Sequence, residues 1–198
     1  LYGVGGERSI LEWEVGWLSG YEGSRPVRIG NAANTQLQLD VYGELMDAFA
    51  QQVSLGLARA DQVWPQVRAL VRHLETQWRR PDEGIWEVRG GVRHFTFSKG
   101  MAWVAFDRAI RIAEDHGLHA PLDRWRAIRQ EIHDTVCREG FSPARNSFIQ
   151  AFGVDVLDAS VLLLPLYGFL PPDDPRVLGT LDAVGRDLMA DGFVLRYH

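Results

Sequence analysis

Hydrophobic positions along the chain recur at helical spacing. Over residues 61–78, Val63, Val67, Leu70, Val71, Leu74 and Trp78 fall on one face, with Asp61 placed as an N-cap. Residues 121–136 repeat the pattern with Leu122, Trp125, Ile128, Ile132 and Val136, and residues 175–189 with Val177, Leu181, Val184 and Leu188. Each stretch is polar on its other face, which predicts three outer, half-exposed helices. The segments before them differ. Residues 98–114 hold Met101 to Phe106, apolar all round, and residues 155–167 hold Val161 to Leu164. Residues 31–54 are intermediate, with Leu37, Val41, Leu45, Phe49 and Val53. A helix apolar on every side is surrounded by protein, so the predicted order is inner, outer, three times over.

The inner segments start near residues 31, 97 and 156, roughly 60 residues apart and well beyond the ~34 of a tetratricopeptide unit. The expected class is all-α, a toroid of helical hairpins over 31–80, 97–138 and 155–191, in one partial barrel domain (1–198) led by a loop over 1–30. Three hairpins form an open arc with uncovered inner faces, so the remainder of a barrel or an oligomer partner is expected. Long loops precede the second and third inner segments, at 79–97 and 139–154, and ordered loops of that length are usually functional. Residues 85–89 alternate and predict a short strand.

Composition narrows the function. The chain has 198 residues, 46% apolar and 24% charged, with a net charge of −5. That is an ordinary globular balance, and it argues against a nucleic-acid partner held by a basic field. The longest apolar run, around Val161 to Pro165, is too short for a membrane span of ~20 residues. No signal peptide is read at Leu1, and Cys137 alone builds neither a disulfide nor a cysteine metal site, so a cytoplasmic location is expected. The six histidines form no metal cluster by spacing, and no metal or other cofactor is expected; His116 and His119 flank a helix end. The only lysine is Lys99, which reads as genome composition.

Three segments carry candidate chemistry. Residues 21–31 place Arg25 and Arg28 around a turn stiffened by Pro26; arginine forks hold oxygen-rich ligands, unless these simply pair with Glu22 or Asp40. Residues 81–90 pack Asp82, Glu83, Trp86 and Glu87 together. A carboxyl desolvated beside a tryptophan is a fitting general acid, though a solvated acidic turn has the same composition. In the third, Asp155 is placed to cap an inner helix, while Asp158 lies in an apolar stretch where a buried carboxylate needs a partner or a role.

The stretches YEGSRPVRIGNAA (21–33), QLQLDVYG (36–43), PDEGIWEVRG (81–90), Ser98-Lys99, Met101, WVAFDRA (103–109) and LLPLYGFLPPDD (163–174) resemble glycoside hydrolase family 15 along essentially the whole chain. The resemblance implies an (α/α)6 barrel and inverting hydrolysis of α-glucosides or α-glucans, trehalase-like or glucoamylase-like. It implies Glu87, directly after Trp86, as the general acid. It also implies sugar contacts at Tyr21, Arg25, Arg28, Trp86 and Asp158. Two family features are missing: an Arg-Asp pair, expected ahead of Leu1, and the catalytic base, expected after His198. The alternatives are a non-catalytic toroid segment for carbohydrate binding or regulation, which has no need of the Trp-Glu pair, and a sugar epimerase of similar barrel type, which the histidine placement does not support.

Overall fold

The structure is a computed structural model describing residues 3–7, 10–88 and 90–197. It divides into two compact units, Leu1–Leu37 and Gln38–His198. In the first unit, β1 (Trp13–Glu14) pairs antiparallel with β2 (Arg28–Ile29). A 3-10 helix, Ala32–Thr35, follows, its first turn closed by Asn31, whose side chain accepts from the Ala33 N–H at 2.8 Å.

The second unit is built on five α-helices: α1 (Asp40–Ser54), α2 (Ala60–Gln77), α3 (Thr96–Asp115), α4 (Leu122–Glu139) and α5 (Pro175–Asp187). Three two-residue hairpin pairings complete the described strands, β1–β2 and then β3 (Phe141–Ser142) with β4 (Ser147–Phe148) and β5 (Met189–Ala190) with β6 (Phe193–Val194). The all-α class expected from the pattern is therefore what is observed. The α3 helix is buried on all sides, Met101 to Phe106 included, and packs against α1, α2 and α4. The α2 and α4 helices bury the expected stripes and expose the rest.

Several expectations are corrected. No α-helix covers 155–167; there is a 3-10 helix, Ala159–Leu163, and then turns. Pro165, which has no N–H to donate and clashes one turn back, stops any α-helix there. The helix expected from residue 31 begins at Asp40 because the Leu39 N–H is drawn to Asp82 Oδ2 (3.1 Å) and Gln38 Nε2 donates to the Gly84 carbonyl. Its buried face is Asp40, Gly43, Met46 and Asp47, leaving Val41 and Leu45 exposed. A Cβ on Gly43 would be driven into the Met101 carbonyl, so the two helices touch through a residue with no hydropathy signal. On α5, Leu181 is exposed and Gly179, Thr180, Ala183 and Val184 are buried. Asp61 sits inside the first turn of α2; Arg59 is the N-cap, with its N–H donating to Gln62 Oε1 at 3.0 Å.

The two long loops are stitched together at the start of α3. Asp82 and Arg93 form a reciprocal backbone pair at 2.9 Å that closes the first loop. The Thr96 N–H donates to the Gln150 carbonyl (2.9 Å) and the Phe152 N–H to the His94 carbonyl (3.0 Å). Residues 81–95 and 150–158 are thereby held against one buried helix terminus.

Candidate active site

The segment expected as a strand at 85–89 is a turn over 84–87, with Arg89 outside the described residues, as is His198. Gly84 permits it: its φ is +70° and a Cβ there would meet the Phe95 ring at 2.9 Å. Glu87 itself is left-handed at φ +50°. That region is uncommon for non-glycine residues, and such conformations gather at functional sites, where the surroundings hold them. The Glu87 N–H reaches the Gly84 carbonyl and the Val88 N–H the Glu83 carbonyl, each at 3.3 Å. Glu87 is half-buried, and no described side chain hydrogen-bonds its carboxylate.

Trp86 is fixed by its ring nitrogen. Nε1 donates to both carboxylate oxygens of Asp158 at 3.0 Å, and the Arg196 guanidinium lies 5.4 Å from the ring centre. Asp158 is 2% exposed. Besides Trp86 it accepts from Gln150 Nε2 (3.1 Å), the Ser160 N–H (2.8 Å) and Ser160 Oγ (2.6 Å). The need for partners inferred from its apolar surroundings is met in full. The structure makes Asp158, and not Asp155, the helix cap; Asp155 is exposed and ion-pairs with Arg145.

Behind the turn lies a buried charged cluster that the pattern of residues did not single out. Asp82 is fully buried, and desolvation pushes its carboxyl up, against the stabilising Leu39 N–H, Ser98 hydroxyl and Lys99 charge. Lys99 is 1% exposed; Nζ donates to the Trp78 carbonyl (2.7 Å) and to the Arg80 carbonyl. Burial pulls its ammonium down to about 8, opposed by the charge of Asp82. Asp40, at the first position of α1, is pushed up to about 6, chiefly by burial, with the charges of Asp82, Glu44 and Glu87 adding. The signal was present in composition. One lysine kept where every other basic residue is arginine marks a site needing a compact ammonium that donates to carbonyls.

Tyr21, Arg25 and Arg28 belong to the first unit. Tyr21 is exposed in a short 3-10 helix, Tyr21–Gly23. Arg28 pairs with Glu12 (3.2 Å) and Glu14 (3.0 Å), and not with Glu22 or Asp40. Arg25 is exposed, with no ion pair among the described residues. No group of described side chains has the makeup of a metal site. Among the described residues no helix is long and apolar enough to cross a membrane.

Comparisons with known proteins bear on this arrangement. The chain is 47% identical over its whole length to a trehalase of Mycobacterium tuberculosis and 40% identical over 99% of its length to a trehalase of Thermoplasma acidophilum. It spans 29% and 34% of those relatives. Among solved structures, a glycosidase in complex with glucose superposes on 89% of the chain, and 48% of its own, with a TM-score of 0.75 at 23% identity, which shows a shared fold. The sequence model described as Glycosyl hydrolases family 15 matches residues 2–198, nearly the full chain. The chain therefore belongs to glycoside hydrolase family 15.

Proposed function

We propose that the complete protein of which this chain is part hydrolyses α-glucosidic bonds with inversion, and that trehalose is its substrate. The observation that carries the reading is the Trp86–Glu87 turn. It presents a half-buried carboxyl at a left-handed residue, one residue from an indole anchored on a buried carboxylate. The trehalase relatives favour trehalose over α-glucan ends.

In this reading Glu87 is the general acid. It gives its proton to the glycosidic oxygen as the bond to the anomeric carbon breaks, so the leaving glucose departs neutral. Water attacks the opposite face of the anomeric carbon and passes its proton to a carboxylate base. Inversion needs that base ~6.5–9.5 Å from the acid, with room for the water. The base comes from a part of the protein outside this chain. Tyr21, Arg25 and Arg28 grip sugar hydroxyls, a role supported by their match to the family's loop. No cofactor takes part. The test is glucose release by the full-length protein from trehalose, maltose and maltotetraose. Highest kcat/KM on trehalose is expected; no glucose from trehalose, or a higher kcat/KM on maltose or maltotetraose, would overturn the proposal.

A further inference from the structure

Asp158 has more partners than a helix cap needs. Capping the 3-10 helix requires only the Ser160 N–H, yet Asp158 also receives Ser160 Oγ, Gln150 Nε2 and, 72 residues back in sequence, the Trp86 indole. A carboxylate has about four acceptor positions. Oδ1 takes the indole and both Ser160 donors, and Oδ2 takes the indole and Gln150. Nothing is left over for a sugar hydroxyl, and the side chain is shut off from solvent.

We infer that Asp158 is a positioning residue for Glu87: by holding the Trp86 indole it sets the turn on which Glu87 is presented. The inference rests on the reading of Glu87 as general acid. The turn's own hydrogen bonds are long, both at 3.3 Å, and it keeps a non-glycine residue in a left-handed conformation. Such a conformation persists only where the surroundings over-determine it. The charge-assisted indole–carboxylate contact, shared between both oxygens at 3.0 Å, is shorter than either of the turn's own bonds.

The anchor is rigid in turn. The Gln150 carbonyl accepts from the Thr96 N–H at the head of buried α3, and the Gln150 N–H donates to the Val156 carbonyl at 2.8 Å. The segment bearing Arg196, whose guanidinium lies near the indole, is tied to the same spot, because the Ala159 N–H donates to the Arg196 carbonyl at 2.9 Å. A reacting group supported this way keeps its geometry, and loss of such support is costly without any loss of substrate contact.

The experiment compares Asp158→Asn, Trp86→Phe, the double variant and, as reference, Glu87→Gln in the full-length protein, on trehalose and on α-glucosyl fluoride. Fluoride leaves with little need of a proton. Asp158→Asn puts an NH2 group among converging donors, and Trp86→Phe keeps the ring while removing the donor. Each is expected to lower kcat on trehalose about 10- to 100-fold with little change in KM. On the fluoride each should lose less than about threefold, and the double variant should be no worse than the singles. Trp86→Phe leaves the Ser160 cap intact, so it carries the test if Asp158→Asn fails to fold. Equal losses on both substrates, a raised KM with kcat intact, or no loss where Glu87→Gln is impaired would overturn the inference. If Glu87→Gln itself is unimpaired on trehalose, the general-acid reading fails first.

Discussion

Replacing Glu87 by glutamine removes a proton donor while preserving size and backbone. Among the described residues no side chain hydrogen-bonds Glu87, and the left-handed turn is held by Gly84, by the backbone bonds at 3.3 Å and by the Trp86 anchor, none of which the substitution touches. Stability should therefore move by no more than about 0.5 kcal/mol, as for other substitutions outside the core. Catalysis should move far more. A well-placed general acid contributes roughly 10²–10⁴ in rate, about 3–5 kcal/mol of barrier. The assay is steady-state glucose release from trehalose by the full-length protein, run beside α-glucosyl fluoride. The kcat on trehalose should fall by that factor while KM changes little, and the loss on the fluoride should be much smaller. Glu83→Gln, in the same turn, serves as the comparison and should cost far less. Abolished turnover in Glu83→Gln with activity retained in Glu87→Gln would refute the assignment of the acid.

Other consequences follow from the buried groups. Asp40 has a folded-state value raised from 3.8 to about 6, so its contribution to stability is present below pH 3.8 and lost as pH rises through 6. The loss amounts to about 3 kcal/mol at neutral pH, and Asp40→Asn should remove it. Thermal unfolding from pH 4 to 7 should show the variant gaining on the parent as pH rises; a constant difference would contradict this. Lys99→Met leaves the Trp78 and Arg80 carbonyls and Asp82 without their ammonium and should cost about 3–5 kcal/mol by denaturant unfolding. Lys99→Arg should be nearly as damaging, since a planar fork cannot replace a compact ammonium 1% exposed, and full stability there would contradict the packing. Gly43→Ala should destabilise by about 1–3 kcal/mol through its clash with Met101, read as a lower denaturant midpoint.

The parts of the fold that were legible in sequence are those where burial and hydropathy coincide. The α2, α3 and α4 helices bury the stripes that their periodicity marks, Val67, Val71 and Leu74 on the first, and Ile132 and Val136 on the last. Where contact is made through small or polar residues, periodicity misleads. Gly43 and Asp47 turn α1 inward although Val41 and Leu45 are the apolar positions. The apolar run at 161–164 reads as helix until Pro165 is weighed against it. At the site, the cost of a buried carboxylate told that Asp158 must be partnered, but no local pattern names a partner 72 residues away. Alternation made a strand of residues 85–89, because the Phe95 ring that demands a glycine turn at Gly84 is a tertiary neighbour. Lys99 was visible as an oddity of composition, and only its burial explains it.

The most direct measurement is proton NMR of the glucose first released when the full-length protein is mixed with trehalose, read before mutarotation. Both glycosidic carbons of trehalose are α. Inverting cleavage frees the leaving sugar as α-glucose and turns the attacked one into β-glucose, so equal amounts of the two anomers should form. Release of α-glucose alone would mean retention, and with it two carboxylates set ~5–5.5 Å apart acting as nucleophile and acid. That outcome, or the absence of any glucose, would contradict an inverting α-glucosidase with Glu87 as its acid.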